Sequence, residues 1–334
     1  MKLIIDGYNK TLRKKDNQIV VMEKDNEIYR ISANKVSDIT IMAKGHITFD
    51  ALNLMAKNNI KLISINYFGQ INYILESPNQ NNIVLKKLQY QASENHKGLL
   101  ISKEFITSKM KNQKSTIKTL NKNKKIKEVK IIENKIKQNI KDFKNFKITL
   151  NDNIFTSKNK IMGFEGIASV NYWEAVSLLL PDEINFKNRN QKPENDVVNS
   201  MLNYGYAILA SEIAKNIVTL GLDPYCGLLH ADLKRRQSLI FDLIEEFRQQ
   251  IVDKTVFKLI NTNQINETKI DKRNNSLKLE SRKLLDGEIM AKIHSDLNFE
   301  NEKVTYAKII ENQTKKLVKS LLNNTEYNGF YLNW

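Results

Sequence analysis

The sequence predicts an α+β protein, with a small β-rich N-terminal domain over residues 1–76, a linker over 77–90 and a larger all-α C-terminal domain over 91–334. Three observations carry this expectation. Apolar residues recur with a period of about 2 up to residue 76 and about 3.6 beyond it. Hairpin and turn signals gather in the first part. The 334 residues include only 4 Pro and 11 Gly, which favours long helices over many short strands.

Taken in order, Lys2-Leu3-Ile4-Ile5-Asp6 reads as a strand. Gln18–Met22 and Glu27–Ile31 flank Lys24-Asp25-Asn26 as the arms of a hairpin. Ile39–Met42 is a further short apolar run, and Thr48 is placed to cap a helix through Ala51, Leu54 and Met55 that ends at Asn58-Asn59. Ile60–Ile65 reads as a strand, and Gly69 turns the chain into Ile71–Ile74. Ser77-Pro78-Asn79-Gln80-Asn81-Asn82 is the polar stretch that marks the linker. Helical periodicity is expected from there to the end.

The net charge of +16 points to a polyanionic partner, although an AT-rich codon bias toward Lys, Asn and Ile supplies an alternative. Residues 103–147 hold 15 Lys against 4 acids, so 11 of the net charges lie there. Ile117, Leu120, Ile126, Val129, Ile132, Ile136 and Ile140 recur among them at helical spacing. This predicts one or two basic amphipathic helices, for nucleic acid or as a solvated face. A membrane partner is not expected, because the apolar side is Ile rather than Trp or Phe. Cys226 is the single cysteine, which excludes an intramolecular disulfide and suits a reducing cytoplasm. No secretory h-region and no run of about 18 apolar residues is present.

Two segments offer chemistry. In Gly163-Phe164-Glu165-Gly166, Glu165 is expected near a helix start, where a carboxylate also has a bland role as dipole partner. In Gly221 to Asp253, a turn through Asp223-Pro224-Tyr225-Cys226-Gly227 delivers His230, and a helix is expected from about Ser238. Leu239, Ile240, Leu243, Ile244, Phe247 and Ile251 form its apolar stripe. Ser238, Asp242, Glu245 and Gln249 form a second stripe opposite, which by itself would be a solvent-facing acidic patch. Arg248 is placed to meet a phosphate or to pair with Glu245. Carboxylates with one imidazole and no thiolates suit a hard ion, Mg²⁺ or Mn²⁺. Cys226 and His230 lack the further ligands of a zinc site, and His46, His96 and His294 have no ligand company.

These segments resemble the CRISPR-associated integrase family of spacer acquisition. The resemblance rests on Gly163-Phe164-Glu165-Gly166 with Tyr172-Trp173, and on Asn188-Arg189-Asn190 before Leu202-Asn203-Tyr204-Gly205-Tyr206. It continues in Gly227-Leu228-Leu229-His230, and in Ser238-Leu239, Asp242-Leu243, Glu245, Phe247-Arg248 and Asp253. Lys109-Met110-Lys111-Asn112-Gln113 adds a K-x-x-N-Q element, and Gly45 to Ala51 and Gly69 match less sharply. Two departures stand out: Asp196-Val197-Val198-Asn199 lacks the family's Pro, and Glu246 replaces Pro in E-P-F-R.

The resemblance implies a dimerising N-terminal domain and a catalytic C-terminal one, with Glu165, His230 and Glu245 as metal ligands and Asp242 as an acidic neighbour in the catalytic set. It implies a metal-dependent endonuclease and integrase that inserts short DNA fragments into a CRISPR array by transesterification. The partners would be double-stranded and branched DNA, a second copy of the chain and a small companion adaptation protein. Candidate DNA contacts are Lys109, Lys111, Arg189, Tyr204, Arg235, Arg236 and Arg248, with Tyr204 also readable as core. His230 has a competing role as general acid or base. The rival readings are a non-enzymatic basic scaffold and a transposon-encoded integrase of the same family.

Overall fold

A computed structural model describes the chain except residues 67–70, 78–81, 191–195, 232–233, 235, 267–269, 272–275 and 333–334. The N-terminal part is one six-stranded mixed sheet. In chain order its elements are β1 (Lys2–Lys15), β2 (Gln18–Glu23), β3 (Asn26–Ser32), β4 (Asp38–Ile47), α1 (Phe49–Lys57), β5 (Lys61–Ile65) and β6 (Ile71–Leu75). The strand order is β3-β2-β1-β4-β5-β6. β1 pairs parallel with β4, and β4 with β5, while the outer pairs are antiparallel. The parallel pair β4–β5 needs a crossover, and α1 supplies it. Thr48 caps α1 by accepting from Ala51 N at 3.3 Å. β1 bulges between Gly7 and Lys10, and Gly45 on β4 passes so close that a Cβ there would sit 1.7 Å from Lys10 O. Leu12, Ile19, Ile39, Met55, Ile60 and Leu62 fill the core between sheet and α1.

The remainder is mainly helical: α2 (Ile83–Ser93), α3 (His96–Lys124), α4 (Lys127–Asn145), α5 (Ile154–Leu179), α6 (Val197–Thr219), α7 (Ser238–Leu243), α8 (Lys254–Asn261), α9 (Leu279–His294) and α10 (Tyr306–Asn323). The expected linker is shorter than 77–90, because α2 begins at Ile83 with Asn82 accepting from Leu85 N. The basic run forms α3 and α4. α6 is apolar on nearly every side and lies in the middle of the core, with Val198, Met201, Leu202, Leu209 and Ile213 all fully buried. Asp196 caps it by accepting from Asn199 N at 2.7 Å, so the missing Pro costs the helix no start signal.

Helical periodicity does not run to the end. Short strands β7 (Ile270–Asp271) and β8 (Ser276–Leu277) pair, and β9 (Asp296–Phe299) pairs with β10 (Glu302–Thr305). Glu300 and Asn301 both take positive φ, the backbone twist a two-residue hairpin loop requires. The sheet is fastened to the helical part by Lys61, whose ammonium donates to Val218 O at 2.6 Å and pairs with Glu76 at 2.7 Å. Among the described residues no helix is long and apolar enough to cross a membrane.

Candidate active site

A cavity of about 1030 Å³ opens where α3, α5, the turn before α7 and the segment after α7 meet; Lys109, Glu165, His230, Arg236, Glu245 and Arg248 line it. Residues from four separate stretches of sequence therefore share one space.

Glu165 lies eleven residues into α5, well past its first turn, so the expectation of a helix start there is corrected. A dipole role is thereby removed, because that field fades within one turn. Its Oε1 accepts from Ser169 Oγ at 2.8 Å and pairs with Lys109. Its side chain is about a quarter exposed. The flanking Gly163 and Gly166 face open space, with nothing within 4 Å of where a Cβ would stand.

His230 is set by Asp242. That carboxylate is fully buried and accepts from Leu228 N (2.6 Å), Leu229 N (3.0 Å), His230 N (3.0 Å) and His230 Nδ1 (2.6 Å). An acceptor at Nδ1 puts the ring proton there and leaves Nε2 as the nitrogen with a lone pair. Asp242, expected among the catalytic acids, is thus turned to the turn's backbone and does not line the cavity. It is a positioning residue for His230.

The segment after α7 is not the regular helix the periodicity predicts. α7 gives way to a 3-10 turn over Ile244–Glu246 and then to a π-helical turn over Gln249–Asp253 before α8. The expected solvent-facing stripe is buried: Ser238, Asp242, Glu245 and Gln249 are all at most 3% exposed. Glu245 faces the cavity from the 3-10 turn, with Lys109 Nζ 2.8 Å from Oε2 and an Arg248 guanidinium nitrogen 3.3 Å from Oε1. Burial pushes its carboxyl up, but Arg248 and Lys109 outweigh burial and hold it at about 2. Burial likewise pushes Lys109 down, yet Glu245 and Glu165 hold its ammonium above the ordinary value. Glu246 points the other way, accepting from Tyr327 OH, Phe330 N and Gln313 Nε2, and burial raises its carboxyl to about 7.

The expected DNA contacts divide. Lys109 is buried between two carboxylates and Arg248 is paired with Glu245, its guanidinium 4.8 Å over the Tyr206 ring. Arg189 is spent inside the fold on Asn190 O, Asn199 Oδ1 and Asn203. Tyr204 is half-buried against the core. Lys111 lies 3.5 Å over the Tyr331 ring. Arg236 lines the cavity, stacked over Phe241. Arg235 and Gly69 fall outside the described residues. Sequence reasoning attached no role to Asp253 beyond its place in a motif. It is fully buried and accepts from Tyr172 OH and Tyr206 OH, both at 2.7 Å.

Among the described residues no three His, Cys, Asp or Glu side chains form a ready-made metal cluster. The ammonium of Lys109 stands between Glu165 and Glu245 as their cation. The donor set nevertheless fits a hard divalent ion. Two carboxylates converge, an imidazole nitrogen shares their cavity, and Glu245 Oε2 is buried with no hydrogen bond of proper geometry.

The model of the "CRISPR associated protein Cas1" family matches residues 3–286. The chain belongs to the Cas1 family. It is 55% identical to the "CRISPR-associated protein Cas1 3" of Methanobrevibacter ruminantium over the whole length of both chains. It is 32% identical to the "CRISPR-associated endonuclease Cas1 1" of Archaeoglobus fulgidus, again over all of both chains. Among solved structures, a casposase bound to an integration product has the same fold, with a TM-score of 0.72, 24% identity, and coverage of 98% of this chain and 92% of that one. The Cas1 match stops at residue 286, so α10 and the C-terminal tail lie beyond it.

Proposed function

We propose that this Cas1-family protein is an endonuclease and integrase that joins short DNA fragments into a CRISPR array. The observation that carries the reading is the convergence of Glu165, Glu245 and His230 on one cavity whose remaining charged groups, Lys109, Arg236 and Arg248, are cations. Acids to hold a metal and cations to hold phosphate are both needed for chemistry on a phosphodiester. A purely scaffolding role explains the basic helices and leaves the buried acids without purpose.

The reaction is a transesterification. The 3′-oxygen of an incoming fragment forms a bond to a phosphorus of the repeat, the bond from that phosphorus to its own 3′-oxygen breaks, and the proton lost by the attacking hydroxyl is matched by one taken up by the leaving 3′-oxygen. One ester replaces another, so no energy source is consumed. Glu165, Glu245 and His230 Nε2 would hold Mg²⁺ or Mn²⁺, which supplies polarisation of the phosphoryl oxygen and stabilises developing charge on the attacking and leaving oxygens. Arg248 keeps Glu245 ionised for that role. Asp242 holds His230 in the ligating tautomer. Lys109 balances the two carboxylates before an ion arrives, and its flexible ammonium is then available to a phosphate oxygen.

Duplex and branched DNA would run over α3 and α4. There Lys118, Lys122, Lys125, Lys127 and Lys130 surround a groove of about 780 Å³. Such contacts are independent of sequence and fall away with salt, with a slope of about −0.9 per neutralised phosphate. A second copy of the chain would cover exposed apolar side chains of the sheet, among them Ile4, Tyr8, Ile28 and Met42. A small companion adaptation protein completes the assembly. A strand-transfer assay with a short duplex and a repeat-containing plasmid, with the companion protein present, tests the reading. Glu165→Ala, His230→Ala and Glu245→Ala each abolish transfer while DNA binding persists; full activity in any of them removes that residue from the site.

A further inference from the structure

The two elements that present Lys109 and Glu245 to the cavity are joined on their other side by the C-terminal tail. α10 ends at Asn324 in the left-handed conformation, and the tail then returns across α3 and the 244–246 turn. Gly329 is where it lies closest. A Cβ there would meet Ser108 Oγ at 2.1 Å and Glu104 O at 2.9 Å, so the tail backbone rests directly on α3 beside Lys109. Phe330 is fully buried and stacks on Phe247, with centroids 5.3 Å apart and planes at 15°.

Two side chains tie this junction. Asn112 follows Lys109 by three residues and is fully buried. Its Nδ2 donates to Glu246 O (2.9 Å) and Phe330 O (3.1 Å), and its Oδ1 accepts from Gln250 Nε2 (3.0 Å) and Leu332 N (3.1 Å). That uses both donors and both lone pairs of the amide. Glu246 accepts from Tyr327 OH (2.7 Å), Phe330 N (2.8 Å) and Gln313 Nε2 (2.9 Å). On each element one residue faces the cavity and a near neighbour faces the tail: Lys109 and Asn112 on α3, Glu245 and Glu246 on the turn.

We propose that the C-terminal tail, residues 324–332, is a positioning part of the active site that holds the turn carrying Glu245 against the helix carrying Lys109. The inference rests on the reading that Glu245 acts at the reaction centre. Its physical basis is that the turn does not hold itself. A 3-10 turn followed by a π turn has poorer hydrogen-bond geometry than an α-helix, and here the Glu246 carbonyl is satisfied by an Asn112 side chain. Without the tail the Glu246 carboxylate loses its Tyr327 and Phe330 donors. The backbone can then relax toward a regular helix, which turns each residue by about 20° less than a 3-10 turn and swings Glu245 out of place. Asn112 of the K-x-x-N-Q element and Glu246, which stands where the family motif has Pro, thereby both gain a role.

The test uses the full chain, a chain ending at Asn323, and the variants Tyr327→Phe and Glu246→Gln, which change hydrogen bonding and little volume. Mn²⁺ affinity by calorimetry, single-turnover strand transfer, DNA binding and melting temperature are read for each, below every melting point. The point variants should stay folded and bind DNA normally, yet lose about 10- to 100-fold in Mn²⁺ affinity or transfer rate, as removal of an outer-shell partner does. The shortened chain should lose more, and a peptide of residues 324–334 added in trans should restore the rate. Wild-type Mn²⁺ affinity and rate in both point variants overturns the proposal whether or not the shortened chain folds, and so does a peptide that restores melting temperature without rate. An inactive Glu245→Gln beside fully active tail variants removes only the tail's part; an active Glu245→Gln removes the functional reading itself.

Discussion

The two carboxylates of the cavity are presented in opposite ways. Glu165 stands on the long regular helix α5, about a quarter exposed, between two glycines that face open space. Glu245 stands on an irregular 3-10 turn, almost wholly buried, with Lys109 and Arg248 against it and the C-terminal tail behind it. A regular helix places a side chain by periodicity alone. An irregular turn places one only if other elements hold it. The proposed chemistry asks the same of both acids, but the fold supports them in very different ways.

Strand transfer breaks the comparison at its strongest point. Glu165→Ala and Glu245→Ala should both reduce the transfer rate by about a thousandfold or more, equivalent to about 4 kcal/mol of barrier. Stability should separate them. Glu245→Ala takes the carboxylate from Arg248 and leaves the buried Lys109 with Glu165 alone, and should cost about 2 kcal/mol in denaturant unfolding, whereas Glu165→Ala should cost less than about 1 kcal/mol. Equal losses of stability would show that the two acids are supported alike.

The buried Asp253 offers a test by pH. Burial raises its carboxyl from the ordinary 3.8 to about 6, against the hydrogen bonds from Tyr206 and Tyr172. The folded protein therefore holds this proton more tightly than the unfolded chain. Its contribution to stability is greatest below pH 4, falls as pH rises to about 6 and is level above, a change of about 3 kcal/mol. Asp253→Asn should flatten that stretch of the stability–pH curve, measured by urea unfolding between pH 4 and 7. An unchanged slope would assign it to other groups.

Lys109→Met sharpens the part Lys109 plays between the two acids. Without its ammonium the two carboxylates repel, so the metal-free protein should melt lower by a few degrees, corresponding to about 1 kcal/mol. Mn²⁺ should then raise the melting temperature by more than in the parent chain, because no resident cation has to be displaced. A smaller rise would make Lys109 a support for metal binding. The smallest effect is expected at Gly163→Ala and Gly166→Ala. Each sits inside α5 with room for a methyl group and should gain about 0.5–1 kcal/mol. A fall in transfer rate with that gain would mean that substrate approaches the backbone of α5 beside Glu165.

Much of the fold was legible because it rests on local signals. Thr48 before an apolar-periodic stretch, Lys24-Asp25 between two apolar runs and the spaced isoleucines of 117–140 each act within a few residues. The β9–β10 hairpin was not legible, since its loop is Glu300-Asn301 rather than a glycine-bearing pair. Motifs singled out Glu165, His230 and Glu245, which the fold brings to one cavity, but their surroundings could not be read from them. Periodicity alone puts Asp242 and Glu245 on one helical face. The 3-10 turn and the π turn re-aim the side chains beyond Leu243, so Asp242 holds the His230 turn and Glu245 meets Lys109.

The sequence by itself determined the division into a β-rich first part and a mainly helical remainder, the basic character of α3 and α4, and the residue types able to hold a hard cation and a phosphate. Those depend on composition and on spacing along one stretch of chain. Only the tertiary structure decided that Lys109 stands between two acids, that Asp242 and Glu246 turn away from the cavity, and that residues 327–332 bind Asn112 and Glu246. The reason is physical: a buried charge takes its meaning from its partners, and those partners come from positions over fifty to over two hundred residues apart, such as Lys109 with Glu165 and Asn112 with Leu332.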